Sequence, residues 1–169
     1  MRAMLMTAKF RDESNRGTLV KSPTDLVVGT YRLVAFNPPD ATGTAMQGRG
    51  LGQDVFDPPN VKGWPGGAAW INTAALPARY EFLREVSDAI DKIMGAVPPG
   101  GNRVQRIARM SREMFGEGLD AESAVRLLDM PEDQIAELLL PIPRATAPGA
   151  TGAENAIGDL LLDPVYQLK

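Results

Sequence analysis

Apolar residues recur three and four apart through most of this chain, and no stretch sustains the strict alternation of a half-buried strand. From Arg2 to Arg11 that spacing puts Met4, Leu5, Ala8 and Phe10 on one face, which predicts an amphipathic helix closed by Asn15-Arg16-Gly17. LVKSPTDLVVGTYRLVAF predicts a second. Ser22 is a good N-cap, Pro23 falls where no backbone N–H is required, and Asp25 sits at the third helical position. Val27, Tyr31 and Val34 line its face, and Asn37-Pro38-Pro39 stops it. Between Asp40 and Asp54 glycines at 43, 48, 50 and 52 leave room only for a short, weak helix through Ala45 and Met46.

Thr73 is placed to cap a long helix running to about Met94, with Leu76, Tyr80, Leu83, Val86, Ile90 and Ile93 at helical spacing and Gly95 at its end. AVPPGG, Ala96 to Gly101, reads as a turn. Asn102 then caps a helix carrying Val104, Ile107, Met114 and Phe115, and Asp120 caps a shorter one through Val125 and Leu128. Glu132 and Asp133 suit the positive end of a further helix through Ile135, Leu138 and Leu139. Residues 141–152, with ATAPGATG at their heart, read as a flexible loop before a last helix, Ala153 to Leu162, and a turn begun by Pro164. The expectation is an all-α fold: an irregular bundle of about six to eight helices in one helical domain over residues 1–169.

One stretch escapes the periodicity. PPNVKGWPGGAAWINTAAL, Pro58 to Leu76, holds both tryptophans of the chain in a segment too broken by Pro and Gly for a helix or strand. Pro58-Pro59 forces extended backbone, and Pro65-Gly66 suits a type II turn with Gly66 at positive φ. The loop is therefore shaped and ordered. Trp64 and Trp70 would each bury ~200 Å². They serve either as plugs that seat the loop on the bundle, each indole N–H bonded to a carbonyl, or as a platform for a sugar ring, a base or a peptide. In the second case Asn60, Lys62 and Asn72 supply polar contacts around an apolar floor. Lys62 could hold a phosphate or carboxylate, donate to loop carbonyls, or face water.

Composition removes much chemistry. The chain has no cysteine and no histidine, so it has no disulfide, no thiolate or imidazole metal ligand, and no Ser-His-Asp triad of its own. A net charge of −3 gives no surplus for displacing counterions from nucleic acid. Arg103, Arg106, Arg109 and Arg112 form a loose stripe that reads as a solvated face. No apolar run approaches the ~20 residues needed to cross a bilayer, and the N-terminus does not read as a signal peptide. GRGLG, Gly48 to Gly52, lacks both the preceding strand and the spacing of a phosphate loop. Asp54, Asp57 and Asn60 offer oxygens to calcium but without EF-hand spacing. No GxSxG surrounds a serine. No metal and no cofactor are expected, and catalysis by this chain alone is disfavoured.

The blocks LVKSPTDLVVGTYR, LGQDVFDPPNVKGWPGGAAWINTAALPARYEF and LLLDPVYQLK, in that order, resemble a large bacterial family, the domain of unknown function numbered 1800. The likeness is strongest over residues 19–36, 51–82 and the last dozen. Members are usually longer, and the segment resembles their C-terminal part. The resemblance implies a fragment, or a shortened member that covers its helix faces by self-association. Many members carry an export signal, which implies an envelope or periplasmic setting, but the family brings no established reaction or catalytic residue. Three functions follow for this chain. It is a non-catalytic helical module whose Trp loop contacts a glycan or peptide. Or it is half of a split active site, with Asp54 or Asp57 as acid or base. Or it is a ligand-free structural piece that self-associates.

Overall fold

A computed structural model describes residues 2–97, 101–116 and 118–169. The fold is all-α. Its helices are α1 (Arg2–Leu5), α2 (Pro23–Leu33), α3 (Ala41–Gly50), α4 (Ala75–Ala96), α5 (Arg103–Phe115), α6 (Ala121–Leu128), α7 (Glu132–Leu139) and α8 (Ala156–Leu161). Short 3₁₀ turns occur at Lys9–Arg11, Glu13–Asn15, Gly67–Trp70 and Pro164–Gln167. Among the described residues β-structure is limited to two isolated bridges, Val20 with Leu168 and Phe36 with Leu119.

Local chemistry explains the starts. Ser22 Oγ accepts from Asp25 N, and the Asp25 carboxylate accepts in turn from Ser22 N, so two otherwise orphaned donors of α2 are satisfied reciprocally. Asp40, Asn102, Asp120 and Asn155 cap α3, α5, α6 and α8 with side-chain oxygens. Thr73 does not cap α4. Asn72 takes that role, its Oδ1 accepting from Ala74 N and Ala75 N. The helix expected over Arg2–Arg11 is also shorter: α1 stops at Leu5, and Met6 and Phe10 are mostly exposed. Among the described residues no side chain of this segment is buried to hold a longer helix, and a short isolated one is marginal in water. In contrast α3 runs ten residues despite its glycines. The turn between α4 and α5 falls partly on residues 98–100, which lie outside the described residues.

α4 is the axis of the bundle. It packs most extensively on α8, while α2 rests on α3, α5 on α6, and α7 on α8. The main core joins Leu26 and Val27 of α2, Phe82, Leu83 and Ile90 of α4, Ile135 and Leu139 of α7, and Ile157, Leu160 and Leu161 of α8. A smaller cluster of Ile93, Val97, Ile107 and Ala121 binds α5 and α6 to the far end of α4. Close approach of α4 and α8 depends on Gly158, whose missing side chain leaves space for Ser87.

The segment expected to be a flexible loop before α8 is wrapped around two buried aspartates. Asp163, fully buried, accepts from Ala145 N, Thr146 N, Thr146 Oγ1 and Val165 N. Asp159 accepts from Arg144 Nη2 at 2.5 Å, Gly149 N at 2.8 Å and Thr151 Oγ1 at 2.5 Å. Composition predicted mobility because it cannot reveal acceptors that lie further along the chain. Burial alone would raise the Asp159 pKa, but the bonds from Thr151, Arg144 and Gly149 outweigh it and hold the group at about 2. Its stabilising contribution is complete above the ordinary 3.8 and is lost as pH falls through that value toward 2. Denaturant titrations at stepped pH are expected to show Asp159→Asn less stable at neutral pH and less acid-sensitive in that window. Parallel curves for the two proteins would refute this.

The three sequence blocks converge in space. Lys21, from VKSP, donates through Nζ to Tyr166 O at 2.6 Å and stands 3.6 Å from the centre of the Tyr166 ring. Arg79, from PARYEF, is fully buried. Its Nε donates to Gln167 Oε1 at 2.7 Å and its Nη2 to Lys21 O at 2.8 Å. Gln53, from the GQ pair, accepts from Thr24 N at the start of α2. The tail is paired back on Leu19 through Leu19 N to Lys169 O and Lys169 N to Leu19 O. Burial, then the nearby Arg79 charge, brings Lys21 down to about 8. These motif residues thus form one knot that fastens the approach to α2 and the C-terminal tail to the start of α4.

Candidate functional site

The Trp loop hangs between the end of α3 and the start of α4, which fixes it at both ends. Asn60 builds a turn: its carbonyl accepts from Gly63 N and its Oδ1 from Lys62 N. Gly63 takes φ +85° and Gly67 φ +62°, both in the region that favours glycine. Gly66, expected at positive φ in a type II turn, is extended at φ −100°, ψ −179°. The reversal is carried by Gly67 one residue later, where the 3₁₀ turn to Trp70 begins.

That path brings the indoles together, with ring centroids 5.8 Å apart and planes tilted by 35°. Trp70 is buried and Trp64 half-buried. They line a cleft of about 290 Å³. Gly50, Leu51 and Gly52 at the end of α3 form one wall, Pro59 and Pro65 another, and Ala69, Asn72, Ala74 and Ala75 the rest. No charged side chain lines it among the described residues. The Trp64 Nε1 atom is shut off from solvent and has no hydrogen-bond acceptor. The expectation that loop carbonyls satisfy both indoles therefore fails at Trp64. Leaving such a donor unpaired costs about 1–3 kcal/mol.

Of the five residues read from the sequence, Trp64, Trp70 and Asn72 line the cleft. Asn60 and Lys62 do not line it; both are exposed, and the Asn60 oxygens are used by its own turn. The wall from Leu51 and its flanking glycines was missed. Its only sequence signal was GRGLG, which lies at the C-terminal end of α3, the wrong end of a helix for a phosphate. Beyond the cleft, Phe56 is 93% exposed and Val61 fully so, with Met46 and Val55 also in water.

The remaining chemical candidates do not assemble. Asp54 pairs with Arg49 at 3.3 Å, and Asp57 is exposed. No three acidic side chains converge to hold a metal among the described residues. In the arginine stripe, Arg109 and Arg112 face water, but Arg103 is half-buried and paired with Asp129. Among the described residues no helix is long and apolar enough to cross a membrane.

The family model described as "Protein of unknown function (DUF1800)" matches residues 1–168, and the chain belongs to that family. No curated protein and no solved structure matches the chain.

Proposed function

We propose that this member of the DUF1800 family is a non-catalytic binding module whose Trp64–Trp70 cleft receives a glycan or peptide. One observation carries the reading: the Trp64 N–H is buried without an acceptor. A ligand that eases the loop open and presents an oxygen there would recover the penalty that the free protein bears. The Asn72 oxygen is committed to capping α4, which leaves its Nδ2 as a second donor on the same cleft. Apolar walls with two donors suit a ligand that combines rings or aliphatic groups with a carbonyl or hydroxyl oxygen. Phe56 and Val61 would extend the contact beyond the cleft, as a polymer chain requires.

Peptide and glycan arrays probed with the folded protein test this. One class is expected to be retained. Trp64→Phe keeps an aromatic ring and removes the donor, so it should bind about tenfold more weakly, the loss of one hydrogen bond. Absence of binding to both arrays, or equal binding by Trp64→Phe, would refute the proposal.

A further inference from the structure

A second cleft, bordered by Phe82 and Ile90 of the main core, has no role in the reading above. Tyr31, Val34 and Phe36 from α2 and the residues after it, Val86 and Ile90 from α4, and Leu127 from α6 enclose about 220 Å³ of apolar space. Apolar cavities of ~150 Å³ hold a benzene ring, so this one has room for a ring and an aliphatic side chain together. Glu85 is the only charged residue lining it among the described residues, and it forms no ion pair. The cleft therefore asks for an apolar insert that arrives with positive charge.

Among the described residues several segments expose large apolar side chains, but two of them expose a phenylalanine ring beside further apolar groups, as a cleft with room for a ring requires. Phe56 comes with Asp54 and Asp57, whose charge repeats that of Glu85. Leu5, Met6 and Phe10 come with Lys9 and Arg11, whose charge opposes it. Leu5 is 41% exposed, Met6 60% and Phe10 52%, so this segment keeps much apolar surface in water. Like charges brought together at an interface are costly, and opposite ones set the register.

We propose that residues 5–11 of a second copy dock into this cleft, with Phe10 as the ring, Leu5 or Met6 as the aliphatic insert, and Lys9 or Arg11 beside Glu85. Reciprocal exchange of the segment closes a two-fold dimer and doubles the contact. A seven-residue segment on each side is small for an interface, so the dimer is reversible and salt-sensitive.

Sedimentation equilibrium over a wide concentration range, at low and high salt, tests it. The wild type should pass from monomer to dimer. Phe10→Asp and Glu85→Lys should each weaken association about tenfold or more. Both positions are exposed, so both variants should keep the wild-type circular dichroism. Combining Lys9→Glu and Arg11→Glu with Glu85→Lys should restore the dimer, since opposite charges face each other again. A wild type that stays monomeric throughout would overturn the proposal. So would a dimer untouched by either single variant, or one dissolved instead by Phe56→Asp. Apart from the Phe56→Asp outcome, which concerns a residue bordering the Trp-cleft contact, none of these outcomes bears on that cleft.

Discussion

Arg79→Ala is expected to lower stability by about 3–5 kcal/mol, a drop in Tm of roughly 8–16 °C for a chain of this size. Three terms set the figure. Truncating a long, fully buried side chain leaves a cavity, and for comparable side chains that costs about 2–5 kcal/mol. Gln167 Oε1 loses its charged donor and remains buried, at about 1–3 kcal/mol, and the half-buried Lys21 O loses its own for less. Against these stands a gain. Arg79 is bonded to neutral acceptors and not to a carboxylate, its Nη1 has no partner, and burial lowers its pKa. Deleting a charge held so poorly removes its desolvation penalty. Arg79→Met separates the terms, because it fills most of the space and carries no charge. It should recover about half of the loss. If Arg79→Met were as damaging as Arg79→Ala, the hydrogen bonds would outweigh the packing. If neither variant moved the denaturation midpoint, the knot would not hold the fold.

Gly158→Ala is expected to cost about 2–3 kcal/mol, with most of the damage traceable to Ser87. An added Cβ would lie 2.0 Å from Ser87 Oγ and 3.1 Å from both Ser87 Cβ and Ala153 Cβ, so Ser87 must turn aside and the tight contact of α4 with α8 must give. These are the two most extensively packed helices, and the main core lies along their contact. Ser87→Gly removes the two Ser87 atoms and leaves only Ala153 Cβ at 3.1 Å. Alone it should cost about 1 kcal/mol, the penalty of glycine within a helix. In the double variant the added methyl occupies the vacated space, and a coupling of about 2 kcal/mol should appear in a double-mutant cycle. Urea midpoints with unchanged slopes would read it. Strict additivity would mean that the backbone yields and the packing is not tight.

The contrast between what the sequence disclosed and what it hid follows interaction range. Ser22, Pro23 and Asp25 announce α2 because the capping box is complete within four residues. Asn102 and Asp120 announce α5 and α6 for the same reason. Arg79 was invisible as a buried residue, since its partners Gln167 and Lys21 stand 88 and 58 residues away. The 144–151 segment read as slack because its acceptors, Asp159 and Asp163, come later in the chain. Even within reach, one-residue ambiguities went the wrong way. Asn72 outcompetes Thr73 for the α4 cap, and Gly67 rather than Gly66 carries the positive φ. The cleft itself was half legible. Two tryptophans in a Pro/Gly loop pointed to it, but nothing local told Leu51 from the other apolar residues of α3 and its surroundings.

The motif blocks also divide by role. Lys21, Gln53, Arg79 and Gln167 are engaged with one another or with backbone, so their chemistry is consumed by the fold. Trp64 differs: Arg79 Nη1 and Gln167 Nε2 are also unpaired, but their side chains are held by other bonds, whereas the one donor of Trp64 is unpaired and its ring lines an open cleft. That difference is the physical ground for placing recognition at the loop and architecture at the knot.

The decisive measurement is the ¹H–¹⁵N spectrum of the labelled protein, reading the two indole N–H resonances while a peptide pool and then a glycan pool are added. Binding in the cleft predicts that one pool moves the Trp64 and Trp70 resonances together and saturably, with the Trp64 proton shifting as it gains an acceptor. Saturable binding that leaves both indoles unmoved, or two pools that shift neither, would contradict it.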